Sequence, residues 1–411
     1  MASTGTRLTR TTVGSVTNQY KWTYSFWVKR SLLGDSSTNN FVFDWYQSGS
    51  NRGGILFETN DTFKIYDRVS NSNVLNRNTN RRFRDTNAWY HIVVAHDRTV
   101  SSPLTKIYIN GVEETSFSAS SDPSQNGTSY FNTTSQTETI GSYGNATDYS
   151  QMIMSHVHFC DGYYYQASDF GETDSTTGEW KIKTSPSVSY GNNGYFILKD
   201  GNSLTDQSPN TNNFTVAGGT LTKTEDCPSN VFCTMNPLDK SSSLNLSNGN
   251  TRTASPSNNW MPCKGTIGMI GQNGKFYWEG KCESGTNHYF GVYDASGTVR
   301  GSVQSDMDSN RFVYVYDGGM ERTITGQSAI SGGTYATFAN NDIIGVALDK
   351  ENGTITFYKN GTQIYTETHS SLQTKDLIPG TQAYGSDIQW NFGNGYFGTT
   401  AVSSAGTNAS G

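Results

Sequence analysis

The sequence predicts an all-β protein built as two sandwiches in tandem, and three observations carry that expectation. Across 411 residues, 43 glycines and 13% Phe, Trp and Tyr stand against only 16% charged residues. That is the profile of many short strands joined by polar turns, and no long helix-period segment interrupts it. The stretch Asp342 to Tyr365, DIIGVALDKENGTITFYKNGTQIY, reads as three strands in succession. The same arrangement occurs earlier, in Trp89 to Asp97 (WYHIVVAHD) followed by Lys106 to Val112 (KIYINGV). A chain of this length accommodates two domains, or three of ordinary size.

The later meander shows the logic. Ile343 to Leu348 is apolar and partly β-branched, and Asp349-Lys350-Glu351-Asn352-Gly353 is turn chemistry. Thr354 to Tyr358 then alternates Ile355 and Phe357 against Thr354, Thr356 and Tyr358, the period of a sheet with one buried face. Asn360-Gly361 supplies a tight turn because it tolerates positive φ, and a third strand follows through Gln363, Ile364 and Tyr365. This meander resembles the core of SPRY domains, in which a GVALD-like strand, an NG turn and a FYKNG-like strand recur. The earlier copy resembles laminin-G-like and pentraxin-like modules of the concanavalin A-like lectin class. The resemblances imply two jelly-roll β-sandwiches of related architecture; convergence of two similar meanders stays open beside duplication.

In chain order, residues 1–15 read as a short polar N-terminal arm outside the first sandwich, suited to attachment. The first sandwich is expected over 16–160. Tyr20 to Arg30 (YKWTYSFWVKR) alternates Trp22, Tyr24, Phe26 and Val28 against mixed neighbours and resembles the opening strand of laminin-G-like modules in phage structural proteins. Phe41 to Trp45, Ile55 to Glu58, Phe63 to Tyr66 and Met152 to Cys160 are further strands. A connecting segment is expected over 161–257. Its DFGE (Asp169 to Glu172) and TGEW (Thr177 to Trp180) elements, and the ordered Pro228, Asn230, Phe232, Thr234, Asn236 and Pro237, resemble a segment of tailed-phage proteins. Ser241 to Ser257 is Ser/Asn-rich and reads as a loop or hinge. The second sandwich is expected over 258–411, where GKFYWEGKC (Gly274 to Cys282), HYFGVY (His288 to Tyr293) and DIQWNFG (Asp387 to Gly393) resemble SPRY strands.

Composition excludes several functions. The net charge of −6 argues against a nucleic-acid partner. Arg81, Arg82 and Arg84 are the nearest approach to a basic patch; a phosphate grip and a solvated turn are both open, and the turn is favoured. Met1 to Arg10 has no apolar core of a signal peptide, and no run approaches the roughly 20 apolar residues that span a bilayer. Synthesis and assembly in a reducing cytoplasm, without membrane insertion, are therefore expected. Five cysteines, Cys160, Cys227, Cys233, Cys263 and Cys282, are odd in number and irregularly spaced, so free thiols are expected over a disulfide framework.

The search for chemistry yields little. Glu172 and Asp174 are two apart but lie in a turn-rich segment, not on a cleft strand as the paired carboxylates of glycosidases do. His156, His158 and Cys160, beside Asp161, would share one face of a regular strand in a formal zinc-ligand pattern. A strand with mixed polar residues on that face is the favoured alternative. Calcium, carried by many lectin-like modules, would draw on carboxylates such as Asp44, Asp97 or Asp349, yet no cofactor is expected. No G-x-S-x-G elbow and no phosphate loop occurs. Recognition remains. Tyr163, Tyr164, Tyr293, Tyr316 and Trp390 are candidate ligand-stacking rings, with packing as their competing role. The combined expectation is a non-enzymatic structural protein of a tailed-phage virion, a fibre, appendage or decoration subunit. Homo-oligomerisation, contacts with other virion proteins, and a host-surface glycan or protein as ligand go with it; a free carbohydrate- or peptide-binding adaptor is the alternative.

Overall fold

The computed structural model describes residues 5–403 apart from 13, 35–37, 103, 145, 200–202, 272, 286, 298, 300–310 and 325–329. The chain divides into two compact units, residues 1–223 with 227–231 and residues 224–226 with 232–411. Each is a β-sandwich. Among the described residues, no helix is long and apolar enough to cross a membrane.

The first unit stacks an eight-stranded on a six-stranded sheet. The larger runs Phe117–Ser121, Ser72–Arg82, Thr62–Val69, Arg52–Phe57, Asn40–Tyr46, Thr137–Ile140, Arg7–Thr11, Thr215–Gly218. The smaller runs Tyr195–Ile197, Met152–Asp161, Lys21–Arg30, Trp89–Asp97, Leu104–Ile109, Val112–Glu113. Alternation places Trp22, Tyr24, Phe26 and Val28 inward against Phe43, Trp45 and Ile55 of the facing sheet, all fully buried. Burying one such large side chain contributes about 1.5–3 kcal/mol relative to exposure, so this layer dominates the unit's cohesion.

Two expectations about this unit change. Arg7–Thr11 is not an arm outside the sandwich but a strand paired on both sides, Leu8 standing opposite Ile140 and Val216. A buried ion pair holds it there: Arg10 Nη2 lies 3.2 Å from Glu138 Oε2, and Glu138 Oε1 also accepts the hydroxyls of Tyr24 at 2.5 Å and Tyr195 at 2.6 Å. The segment 161–257 is likewise shared between the two sandwiches. Tyr195–Ile197 and Thr215–Gly218 complete the first unit's sheets, whereas Met235–Lys240, Asn245–Ser247 and Arg252–Ala254 enter those of the second.

Residues 165–190 of that segment cover the outer face of the six-stranded sheet, where Phe170, Tyr165, Trp180 and Tyr190 pack on Val93, Tyr108 and Cys160. Trp180 explains both motifs. Its indole N–H donates to His91 Nδ1 at 2.9 Å, and a Cβ on Gly111 or Gly171 would come within 2.5 Å of its ring. The glycine of DFGE therefore makes room for the tryptophan of TGEW. Asp161 anchors the start of this cover by accepting N–H groups from Thr17, Asn18, Asn132 and Asn193 at 2.6–3.1 Å.

The second unit packs two seven-stranded sheets. One runs Met235–Lys240, Trp260–Gly265, Leu377–Tyr384, His288–Asp294, Arg311–Val315, Met320–Thr323, Ile330–Gly332. The other runs Asn245–Ser247, Arg252–Ala254, Asp387–Asn391, Lys275–Ser284, Ile343–Asp349, Thr354–Lys359, Thr362–Thr368. Ile355 and Phe357 are fully buried with Val346, Trp278, Phe290 and Trp390, as the alternation requires. The Asn360-Gly361 turn has φ of 51° and 80°, the left-handed pair that a two-residue hairpin needs.

Candidate functional site

In the second unit, Met320–Thr323 and Thr362–Thr368 lie toward the same open edge of the two facing sheets. A groove forms there. Phe312 and Met320, both buried, make its floor, Tyr335 and Tyr365 its walls, and Arg322 and Glu367 its rim. Tyr365 and Glu367 reach it together because residues two apart on a strand share a face. The Tyr335 and Tyr365 rings are 4.9 Å apart at 46°.

The electrostatics fix the rim. Arg322 Nη1 donates to Glu367 Oε1 at 2.5 Å, and the Tyr365 hydroxyl donates to Glu367 Oε2. That second bond, with partial burial, pushes the Tyr365 phenol up to about 12, so it stays a neutral donor across physiological pH. Glu321 is held in the same manner by Arg311 and by the Tyr289 hydroxyl. The lining combines an apolar floor, aromatic walls and preset polar groups, and among the described residues it contains no Ser, Cys or His. Such an arrangement suits a group with an apolar part and a polar edge, and its described side chains offer no Ser, Cys or His nucleophile.

The five rings singled out from the sequence fare unequally. Trp390 is buried in the core, its indole N–H donating to Thr253 Oγ1 at 3.1 Å, because Asp387–Asn391 is an interior strand. Tyr293 is fully buried with Tyr289, Val313 and Val315 on the outer face of its sheet. Neither ring is available for stacking on a ligand. Tyr316 is partly buried near Trp260, with ring centres 6.3 Å apart. Tyr164 is half-buried and hydrogen-bonds Tyr108. Tyr163 presents an exposed ring, stacked at 5.8 Å on Tyr165. These rings do not gather into one site within either unit. The groove residues Tyr335, Tyr365, Arg322 and Glu367 were not singled out. The ion pair joins positions 45 residues apart on facing sheets, which no local pattern reports.

The remaining candidates are occupied structurally. Lys181 Nζ lies 3.4 Å from both Glu172 and Asp174 at the surface, away from any cleft strand. The His156, His158, Cys160 alternation is broken by a bulge between Ser155 and His158, with His156 at φ 50°. His158 Nδ1 bonds the Tyr190 hydroxyl at 2.9 Å and its ring stacks on Phe196, while Cys160 is buried in the outer-face cluster. Among the described residues, no group of three or more His, Cys, Asp or Glu side chains gathers as metal ligands. Two of the calcium candidates have their oxygens taken by nitrogen donors. Asp97 pairs with Lys21 at 2.9 Å and caps Thr99, and Asp349 accepts Glu351 and Asn352 N–H groups at 3.0 Å. Two of the three arginines of the cluster are paired, Arg81 with Glu114 and Arg84 with Asp61, each at 2.8 Å, and Asp61 also holds Arg30.

Three described Ser–His contacts resemble a nucleophile and base, Ser25 Oγ with His91 Nε2 at 2.9 Å, Ser155 Oγ with His156 Nδ1 at 2.8 Å and Ser386 Oγ with His288 Nδ1 at 3.0 Å, and Trp180 fixes the tautomer of the first. The tautomer runs the wrong way. An indole N–H only donates, so the Trp180 contact leaves His91 Nδ1 bare and puts the ring proton on Nε2, pointing at Ser25. Burial holds this imidazole down at about 3, so it is a neutral donor and not a base for that hydroxyl. All five cysteines are free thiols.

Residues 3–162 match the family model described as the concanavalin A-like lectin/glucanases superfamily (Laminin_G_3), and residues 275–395 match the SPRY domain model. Comparison with curated proteins finds no match. Among solved structures, the SPRY domain of human HERC1 is 18% identical with a TM-score of 0.31, covering 39% of this chain and 98% of that one. The TRIM65 PSpry domain is 17% identical with a TM-score of 0.31, covering 39% and 89%. Stonustoxin is 18% identical with a TM-score of 0.30, covering 39% and 27%. The chain carries a concanavalin A-like lectin-superfamily domain followed by a SPRY domain.

Proposed function

We propose that this chain is a non-enzymatic recognition protein, a fibre, appendage or decoration subunit of a virion, whose second sandwich binds a host-surface carbohydrate or protein. The groove carries this reading: an apolar floor, two tyrosine walls and a fixed Arg322–Glu367 pair, with no Ser, Cys or His among its described lining residues. In the first unit the Ser25–His91 pair is set as donor to hydroxyl, and Glu172 and Asp174 share a lysine, which supports the same reading. The ordered resemblance of residues 161–237 to a tailed-phage segment supports the virion assignment. Assembly as a homo-oligomer would repeat a weak site and gain avidity. Light scattering of the purified protein is expected to give a trimer or larger closed assembly, and the protein is expected in purified particles. Its absence from particles overturns the virion assignment.

A free adaptor module is the second reading. It is favoured by the groove residues all falling within residues 275–395, which match the SPRY domain model. A monomeric mass together with capture of a defined host protein, lost on Tyr365→Ala, would select it.

A further inference from the structure

Thr362–Thr368 supplies one wall of the groove and is also the end strand of its sheet, paired with Thr354–Lys359 on one side and, among the described residues, with no strand on the other. Backbone geometry says which of its groups are free. Asn360-Gly361 closes a two-residue hairpin, so Lys359 and Thr362 exchange hydrogen bonds across the turn. Alternate residues of an antiparallel strand aim N–H and C=O at the same neighbour, so Phe357 pairs in this way with Tyr365, and Ile355 with Glu367. Thr366 and Thr368 therefore turn their N–H and C=O to the open side, and both residues are exposed. The register shift in this pair falls before Tyr365, so Tyr365 to Thr368 is a regular run.

Sheets usually blunt such an edge with proline, lysine, a bulge or brevity. Met235–Lys240, an end strand of the facing sheet, carries Pro237 and a register shift. The other end strands of the four large sheets have two to five residues among those described. Thr362–Thr368 has seven and contains neither Pro nor Lys. The same strand sends Tyr365 and Glu367 inward to the groove, over the floor of Phe312 and Met320. A strand added beside Thr366 places its own inward side chains next to those two, because directly opposite residues share a face with Cβ atoms about 4.5–5.5 Å apart. Charge at the groove is balanced, Arg322 by Glu367 and Arg311 by Glu321. The side chain that fits is therefore uncharged, and aliphatic or aromatic to meet the floor.

We propose, on the reading that the groove is the recognition site, that its ligand is an extended peptide, which adds as a strand along Thr366 to Thr368 and inserts one aliphatic or aromatic side chain over Phe312 and Met320. Main-chain hydrogen bonds supply the affinity of such a contact, and the pocket beside them supplies the selectivity. A glycan has no alternating N–H and C=O to meet the free edge. A second copy of Thr362–Thr368 meets the edge but not the floor, since its inward Tyr365 and Glu367 are already tied to each other and to Arg322.

Selection of random dodecapeptides against the full chain, followed by N-methylation of the best binder one residue at a time, tests this. Each methyl removes one backbone N–H and leaves the side chain. Affinity is expected to fall roughly tenfold at every second residue of a run and to hold at those between. Thr366→Pro removes an outward N–H where an edge strand tolerates proline, and is expected to cost a similar factor. Tyr365→Ala reports on the groove separately. Loss on Tyr365→Ala with an even methylation profile leaves the groove as the site and overturns strand addition. An alternating profile with binding undiminished by Tyr365→Ala overturns the groove reading and the inserted side chain with it. Binding of arrayed glycans with no peptide selected overturns the proposal, as does a dimer, lost in Thr366→Pro, that takes up no peptide. The methylation profile is read on the wild-type chain, so it decides even where Thr366→Pro does not fold.

Discussion

The two sandwiches close the same hairpin in the same way and yet bury positive charge by different means. In the first, Asn110 and Gly111 have φ of 47° and 84°; the Asn110 N–H reaches the His91 carbonyl at 2.9 Å, and its Oδ1 accepts the His91 N–H at 2.8 Å. In the second, Asn360 repeats both contacts on Ile343, each at 2.8 Å. The asparagine thus serves the turn twice, through its tolerance of positive φ and through its side chain. Behind the hairpins the chemistry separates. The first unit buries arginines on carboxylates: Arg10 on Glu138, Arg30 on Asp61 and Arg98 on Asp67. The second, beside one arginine on a carboxylate (Arg311 on Glu321), buries lysines on backbone carbonyls. Lys350 donates to the Met269 and Lys375 oxygens at 2.7 and 2.9 Å, and Lys264 to the Asp294 oxygen at 2.8 Å and to that of Gly297. One fold tolerates both solutions, but they fail differently. Removing an arginine strands a charge, whereas removing a lysine strands only neutral carbonyls.

The largest effect expected from this contrast is in the first unit. Arg98 and Asp67 are fully buried, and Arg98 also donates to the Gly127 and Thr128 carbonyls. Arg98→Ala is expected to cost roughly 3–5 kcal/mol, read as a lower denaturant midpoint of that unit's transition. A loss below 1 kcal/mol would erase the distinction drawn here.

Acid sharpens the comparison next. Burial holds His288 of the second unit down at about 3, so the folded state refuses a proton that the unfolded state takes up. Its contribution is intact above pH 6.5 and is lost below it, by roughly 1.4 kcal/mol for each pH unit of fall. The first unit buries His91, His96 and His158 in the same sense, but it also holds Asp44, Asp67 and Glu138 above the ordinary carboxylate range by burial. Those carboxyls oppose the histidines on acidification. Unfolding at pH 6.5 and 5 is expected to show the second unit's slope abolished by His288→Asn; a slope that survives removes His288 as its cause.

A smaller effect is expected for Lys350→Met. It leaves two carbonyls unmet but no buried charge, a loss of about 1–3 kcal/mol in the second unit. A cost equal to that of Arg98→Ala would show the lysine solution to be no gentler than the arginine one.

What was legible in the sequence had a local cause. Trp22, Tyr24, Phe26 and Val28 declare their strand by period, and Asn360-Gly361 declares its turn by the φ values it tolerates. Arg7–Thr11 was not legible as a strand, because its partners are Thr137–Ile140 and Thr215–Gly218 and its anchor, Glu138, is 128 residues away. The His156, His158, Cys160 pattern promised one face, and a bulge, which leaves no mark in a periodicity, removed it. Tyr293 and Trp390 were visible as aromatics on strands, but which strands are interior is decided by sheet order. The groove was missed for the same reason: Arg322 and Glu367 meet only when the two sheets are stacked.

The central claim is that recognition resides in that groove. The direct measurement is binding of the full chain to glycan and peptide arrays, repeated with Tyr365→Ala after its melting curve is shown to match the wild type. The account predicts a defined set of bound ligands whose signal falls at least tenfold in the variant, the loss of a stacking and hydrogen-bonding wall being worth about 1.4 kcal/mol or more. Undiminished binding by Tyr365→Ala would contradict it and move the site elsewhere on the chain.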